Sequence, residues 1–288
     1  MAKLPLRLEC GRTDRMEALR TGAVQAEGID LTLPEPGAAA CEIREMSLGA
    51  YLAGKAKGDL PLLAIPVFPL RFFCHGLIFV NARAGITAAE HLQGKRIGLA
   101  RDDADACLWI RFLLQHEHGI DLRSSVLVEA DADAFEARLR SGAIDAVFGT
   151  RLPARDPVAR LFPDYAARER AFWQKTGIFP IMSVLVMQAD LHDRHPWVAE
   201  SLFKACEAAK HWCIEQMRFS GALRAMLPWL LDEIDEMDAL FAEDPWPYGV
   251  SANRKTLAMM AQLLLEQGSI NKPLDIEPLF TPIVAWAE

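Results

Sequence analysis

PVFPLRFFCHGLIFVN, Pro66 to Asn81, decides how the rest of the chain is read. It enters through Pro66 and Pro69, whose missing N–H and fixed φ keep the approach out of helix and sheet interiors. It leaves through an apolar run, Leu77 to Val80, read as a fully buried strand. Two polar side chains, Arg71 and His75, interrupt this otherwise apolar stretch. Such groups need partners. Either they pair with buried carboxylates of the protein, or they face a cleft and take an anionic ligand.

Upstream, Leu4 to Cys10 reads as a strand, followed by Gly11-Arg12-Thr13-Asp14 and a short helix from Arg15 to Arg20. Thr13 or Asp14 serves as its N-cap, and a strand, a glycine turn and a helix N-terminus together favour anions. Ile29 to Leu33 gives a second strand and Ile43 to Met46 a third, after which Ser47 caps a helix running to about Lys57. Glu45, just before that cap, is the odd residue. It points to solvent, or with Ser47 it lines a cleft at the carboxyl end of a strand.

Downstream, strands and helices alternate: a short helix over Thr87 to Leu92, a strand over Arg96 to Ala100, and a helix from Ala104 to about His116. Val126 to Val128 is a strand, Ala132 to Arg140 a helix, and Gly142 to Thr150 a turn leading into a buried strand. This order predicts a small lobe with a mostly parallel sheet, whose strand ends offer Arg101, Asp103, Thr150 and Arg151 to a shared crevice. His116 and His118 flank Glu117, but alternate residues at a helix end point apart, so they favour the helix dipole over a metal. Pro163 to Gln174 reads as a surface helix, and Gly177 to Met187 as a buried strand that returns from the second lobe. The chain then turns helical, over Pro196 to Met217, Leu223 to Ala242 and Asn253 to Gln267. Trp246-Pro247-Tyr248-Gly249 is a turn from which Tyr248 projects into the cleft or clasps neighbouring helices.

The 288 residues suffice for two lobes with separate cores, and a formal charge of −8 with no basic block argues against nucleic acid or an anionic membrane as partner. The opening MAKLPLRLEC reads as a strand rather than a secretory leader, and no apolar run reaches membrane-spanning length. The six cysteines show no CxxC spacing and read as buried thiols of a cytoplasmic protein. No Walker loop, HExxH, GxSxG or GxGxxG occurs, so a nucleotide cofactor has no support.

Several long strings also resemble a known family. They are EMSLGAY at Glu45 to Tyr51, the Pro66 to Asn81 stretch, LFPD at 161 to 164 and TGIFPIM at 176 to 182. RHPWVAESLFKA at 194 to 205, MLPWL at 226 to 230 and WPYGVSANRKTL at 246 to 257 continue the likeness, which runs from about Leu8 to Gln267. The family is the 4,5-dihydroxyphthalate decarboxylases. The resemblance implies an α/β fold of the periplasmic-binding-protein-like type II, with two lobes of mixed, mostly parallel sheets, a central cleft and a helical C-terminal part. The expected lobes are residues 1–82 plus 189–288, and 83–188.

The resemblance further implies a cytoplasmic enzyme that removes one carboxylate from a dihydroxylated aromatic diacid, giving protocatechuate, without an organic cofactor. His75 is then the expected proton donor, and Arg71 or Arg15 the guanidinium that grips the spectator carboxylate. Glu45, Ser47, Asp14 or Tyr248 would meet the catechol oxygens, with Arg101, Asp103, Arg151 and Ser183 completing the substrate contacts. Ser183 stands where the family carries a histidine, and the chain is shorter than those enzymes around Pro36 to Cys41 and Glu129 to Phe135. The alternative is a non-catalytic cytosolic relative of solute-binding proteins for a small aromatic carboxylate. A divalent metal on His75 and a homo-oligomer through the apolar C-terminal helices are both compatible with the sequence.

Overall fold

The computed structural model describes residues 2–35, 37, 41–101, 103–130, 134–218, 226–241 and 244–283. Its chain packs as two units, each built on one five-stranded sheet. The first unit takes residues 1–70, 183–257 and 274–288, the second 71–182 and 258–273.

In the first unit the strands are β1 (Leu4–Glu9), β2 (Ile29–Thr32), β3 (Ile43–Ser47), β4 (Leu62–Ile65) and, from much later in the chain, β10 (Ser183–Gln188). Their order is β2-β1-β3-β10-β4; β1 pairs parallel with both neighbours, whereas β10 runs antiparallel to β3 and β4. Alternation along β1 sends Leu6 and Leu8 into the core. Helix α1 (Asp14–Thr21) buries Met16, Ala18 and Leu19 and packs on α7 (Trp197–Arg218). Helix α2 (Leu48–Lys57) starts as the sequence predicts, with Ser47 Oγ accepting from the Ala50 N–H at 3.0 Å. Helices α6 (Ala189–Arg194) and α8 (Leu230–Phe241) belong to the same unit, and α9 (Val250–Glu266) begins in it.

In the second unit the order is β7-β6-β8-β5-β9. Strands β6 (Arg96–Ala100), β7 (Val126–Ala130) and β8 (Ala146–Phe148) are parallel, while β5 (Ile78–Asn81) runs antiparallel to β8 and to β9 (Val158–Arg160). Helices α3 (Ala104–His118), α4 (Phe135–Ser141) and α5 (Tyr165–Thr176) flank it. Gly98 in β6 admits Phe135 of α4 to the sheet: a Cβ at that position would lie 2.5 Å from the Phe135 ring. Trp109, fully buried on α3, donates from Nε1 to Ile181 O at 3.2 Å.

Several expected boundaries move. Residues His75 to Leu77 form a 3₁₀ turn, so the strand read as Leu77 to Val80 starts at Ile78, and it joins the second sheet rather than a first lobe ending at residue 82. The strand read as Gly177 to Met187 begins only at Ser183. Pro180 has no N–H for a ladder, and between it and Ser183 the segment makes an isolated bridge from Ile181 to Arg71. Strand β10 therefore lies in the first sheet, although the expected second lobe ran to residue 188. The helix read as Thr87 to Leu92 is a single 3₁₀ turn, Ala89–Leu92. The shortened segment at Pro36 to Cys41 falls largely, and that at Glu129 to Phe135 partly, outside the described residues, as do the starts of the helices read from Ala132 and Leu223.

Candidate functional site

The first unit gathers polar groups around the start of α1. Strand β3 lies beside β1 with Glu9 opposite Arg44, which brings Glu45 alongside the turn after β1. The Gly11 N–H donates to Glu45 Oε2 at 2.8 Å. Across the other edge, β10 places Ser183 diagonal to Glu45 on one sheet face, and its hydroxyl donates to Glu45 Oε1 at 2.5 Å. The same hydroxyl accepts from the Leu70 N–H at 3.0 Å, so Glu45 is oriented from two sides. Burial and the neighbouring Glu45 push the Cys10 thiol up to about 11, which keeps it protonated and inert as a nucleophile.

At the second residue of α1, the Arg15 guanidinium lies 4.4 Å over the Trp246 ring, with Nε donating to Pro69 O and Nη1 to Asp14 Oδ1 at 3.0 Å. The turn Trp246 to Gly249 is fixed from behind. Trp246 Nε1 donates to Phe68 O, the Gly249 N–H to Pro66 O, and Asn253 Nδ2 to both Pro247 O and Gly249 O. Tyr248 is 5 % exposed, and no group accepts from or donates to its hydroxyl among the described residues. Burial holds its phenol well above the ordinary value, so it stays protonated. Under its ring, at 4.5 Å, sits the ammonium of Lys210, itself 2 % exposed and paired with Asp244 at 2.6 Å and Glu207 at 2.8 Å. Sequence reading missed Lys210. The signal was its place on the α7 stripe with Cys206 and Cys213, at i−4 and i+3, where a lysine needs paired carboxylates.

In the second unit Arg71 is 4 % exposed, donates from Nη2 to Phe179 O at 2.9 Å, and stands 4.7 Å over the Phe179 ring. Phe73 stacks on that same ring at 4.7 Å. Two residues on, His75 is 2 % exposed between Phe162 and Phe172. Its Nε2 meets Glu117 Oε2 at 3.4 Å and its Nδ1 stands 4.0 Å from Glu169 Oε1, without a hydrogen bond. Burial lowers the His75 pKa below 6.5 and the Glu117 carboxylate partly restores it. His75 thus meets carboxylates of its own unit, whereas Arg71 meets the carbonyl and ring of Phe179.

The remaining expected groups divide by strand end. Asp103 opens α3 after β6, and exposed Arg151 follows the turn at Gly149 after β8, which abuts Asp103. Arg101, also exposed, fixes the end of β6 through its N–H to Ala130 O. Asp14 and Arg15 join in the first unit, as do Glu45 and Ser183, whereas Ser47 serves as the α2 cap. Among the described residues no three His, Cys, Asp or Glu side chains are arranged to hold a metal, and no helix is long and apolar enough to cross a membrane.

No family model matches the chain. Among curated proteins it is 29 % identical over 322 aligned positions to the 4,5-dihydroxyphthalate decarboxylase of Comamonas testosteroni, covering 98 % of each chain. It is 32 % identical over 189 positions to the protein of the same name from Pseudomonas putida, covering 54 % of this chain and 73 % of that one. This chain belongs to the 4,5-dihydroxyphthalate decarboxylase family. Within that family its fold is the periplasmic-binding-protein-like type II. The periplasmic aliphatic sulphonate binding protein SsuA of Escherichia coli superposes with a TM-score of 0.57 at 13 % identity, over 98 % of both chains.

Proposed function

We propose that this member of the decarboxylase family is a carboxy-lyase acting on a dihydroxylated aromatic carboxylic acid, 4,5-dihydroxyphthalate to protocatechuate or a close analogue. One observation carries the reading: 29 % identity to the Comamonas enzyme sustained over 98 % of both chains. The chemistry asks for three groups. Arg15, held over the Trp246 ring, offers its guanidinium to the spectator carboxylate. Glu45, oriented by Gly11 and Ser183, takes the proton of the ring hydroxyl para to the leaving carboxylate. The electron pair released from that O–H bond raises density at the carbon bearing the carboxylate, which takes a proton from an acid. Breaking the bond to carbon dioxide then returns a pair to the ring and restores aromaticity.

His75 is assigned as the acid. Its ring nitrogens stand beside Glu117 and Glu169 of its own unit. The reaction needs no organic cofactor, because the hydroxylated ring is its own electron sink.

Incubation in deuterium oxide tests the reading. 4,5-Dihydroxyphthalate should yield protocatechuate carrying one deuterium at the carbon that lost its carboxylate, and phthalate, lacking the para hydroxyl, should be inert. Turnover of phthalate at a comparable rate would remove Glu45 from the mechanism.

A further inference from the structure

The two ring nitrogens of His75 stand beside carboxylates from different helices of its own unit. Glu117, at the end of α3, bonds Nε2, lies 3.9 Å from Lys175 Nζ and keeps 21 % of its side chain exposed. Glu169, on α5, faces Nδ1 with 15 % exposed and accepts from the Gly76 N–H at 3.1 Å. Burial raises the Glu169 pKa, which favours its protonated form, though bonds from the Gly76 and His75 amides oppose this. Among the described residues the buried His75 Nδ1 has no partner at hydrogen-bond distance, and Glu169 Oε1 stands about 1 Å beyond it.

We infer that Glu117 and Glu169 are positioning residues that make His75 a proton relay across the core of the second unit. Glu117 fixes the neutral ring with its proton on Nε2. A proton on Glu169 passes to Nδ1 as the Nε2 proton passes to Glu117. The ring stays neutral in its other tautomer, Glu169 is left ionised and Glu117 protonated, so one proton has crossed a ring that solvent does not reach. The other charges about this path are His118 on α3, Arg168 and Arg170 on α5, Arg160 on β9 and Lys175. Burial, His118 and Arg168 lower the His75 pKa while Glu117 raises it, and Arg160 and Arg170 lower that of Glu169. The consequence for catalysis rests on His75 as the acid; the relay geometry does not.

The test uses the full chain with ¹⁵N-labelled histidine, the His75 signals assigned by their loss in His75→Gln. Long-range ¹H–¹⁵N spectra should show the proton on Nε2 in the wild type. In Glu117→Gln, which keeps an acceptor oxygen but loses the charge, His75 should titrate at lower pH. In Glu169→Gln the amide donates to Nδ1 and should hold the Nε2–H tautomer at every pH above the His75 titration. With 4,5-dihydroxyphthalate as substrate, both variants should lose about tenfold in kcat with KM within twofold. A wild-type ring protonated on Nδ1, or an unchanged His75 titration in Glu117→Gln, overturns the relay. Absence of any turnover by the wild type would sink the proposed reaction, and the spectra would still decide the relay.

Discussion

Ser183 Oγ donates to Glu45 Oε1 at 2.5 Å while accepting from the Leu70 N–H at 3.0 Å, tying strand β10 to β3 and to the end of the proline-rich approach. Removal of this hydroxyl leaves a half-buried carboxylate with one donor fewer and a backbone N–H without its acceptor. Ser183→Ala should therefore lower unfolding stability by about 1–3 kcal/mol in urea titration, with Ser183→Thr closer to wild type.

Arg15 reaches its place through features that a lysine lacks: a planar face for Trp246 and an Nε donor for Pro69 O. Arg15→Lys should raise KM for 4,5-dihydroxyphthalate by about tenfold or more with a smaller change in kcat. Equal KM values in steady-state kinetics would dissociate Arg15 from the spectator carboxylate.

Lys210 compensates Glu207 and Asp244 inside the first unit and supports the Tyr248 ring. Lys210→Met leaves both acids without their cation and should cost about 3 kcal/mol, read as a fall in unfolding midpoint. Because the Trp246 turn sits on this pair, the same variant should also weaken substrate binding.

The depressed His75 pKa sets a sign for stability against pH. Below 6.5 the unfolded chain takes up this proton while the folded ring resists until its own lower value is reached, so acid favours unfolding in that window. Glu169 acts oppositely: its raised folded pKa makes acid favour the folded state between 4.5 and that raised value. Comparing wild type with His75→Gln isolates the first effect. The wild type should lose up to about 1.4 kcal/mol more per pH unit on acidification through the window. Identical slopes in pH-dependent denaturation would contradict the buried neutral ring.

Much of the fold is written in local pattern, and much of the site is not. Strand alternation, the Ser47 cap and the apolar stripe of α7 are properties of a few neighbouring residues, so β1, β3, α2 and α7 were legible to within a residue or two. The start of β10 was misread because apolar sequence before Ser183 looks like strand, whereas Pro180 denies it a ladder. Side-chain partners are long-range. Glu45 and Ser183 lie 138 positions apart, and His75 and Glu117 42 apart, so spacing could flag a polar residue in apolar sequence but not name what meets it. A histidine in apolar sequence fits a ligand or internal acids equally, and for His75 tertiary packing supplies the acids.

Release of carbon dioxide from 4,5-dihydroxyphthalate by the purified full chain bears most directly on the central claim. Carbon dioxide and protocatechuate should appear in equal amounts, and both should fall sharply in His75→Gln. Thermal stabilisation by the diacid with no gas evolved would instead make this chain a binder of aromatic carboxylates and contradict the account.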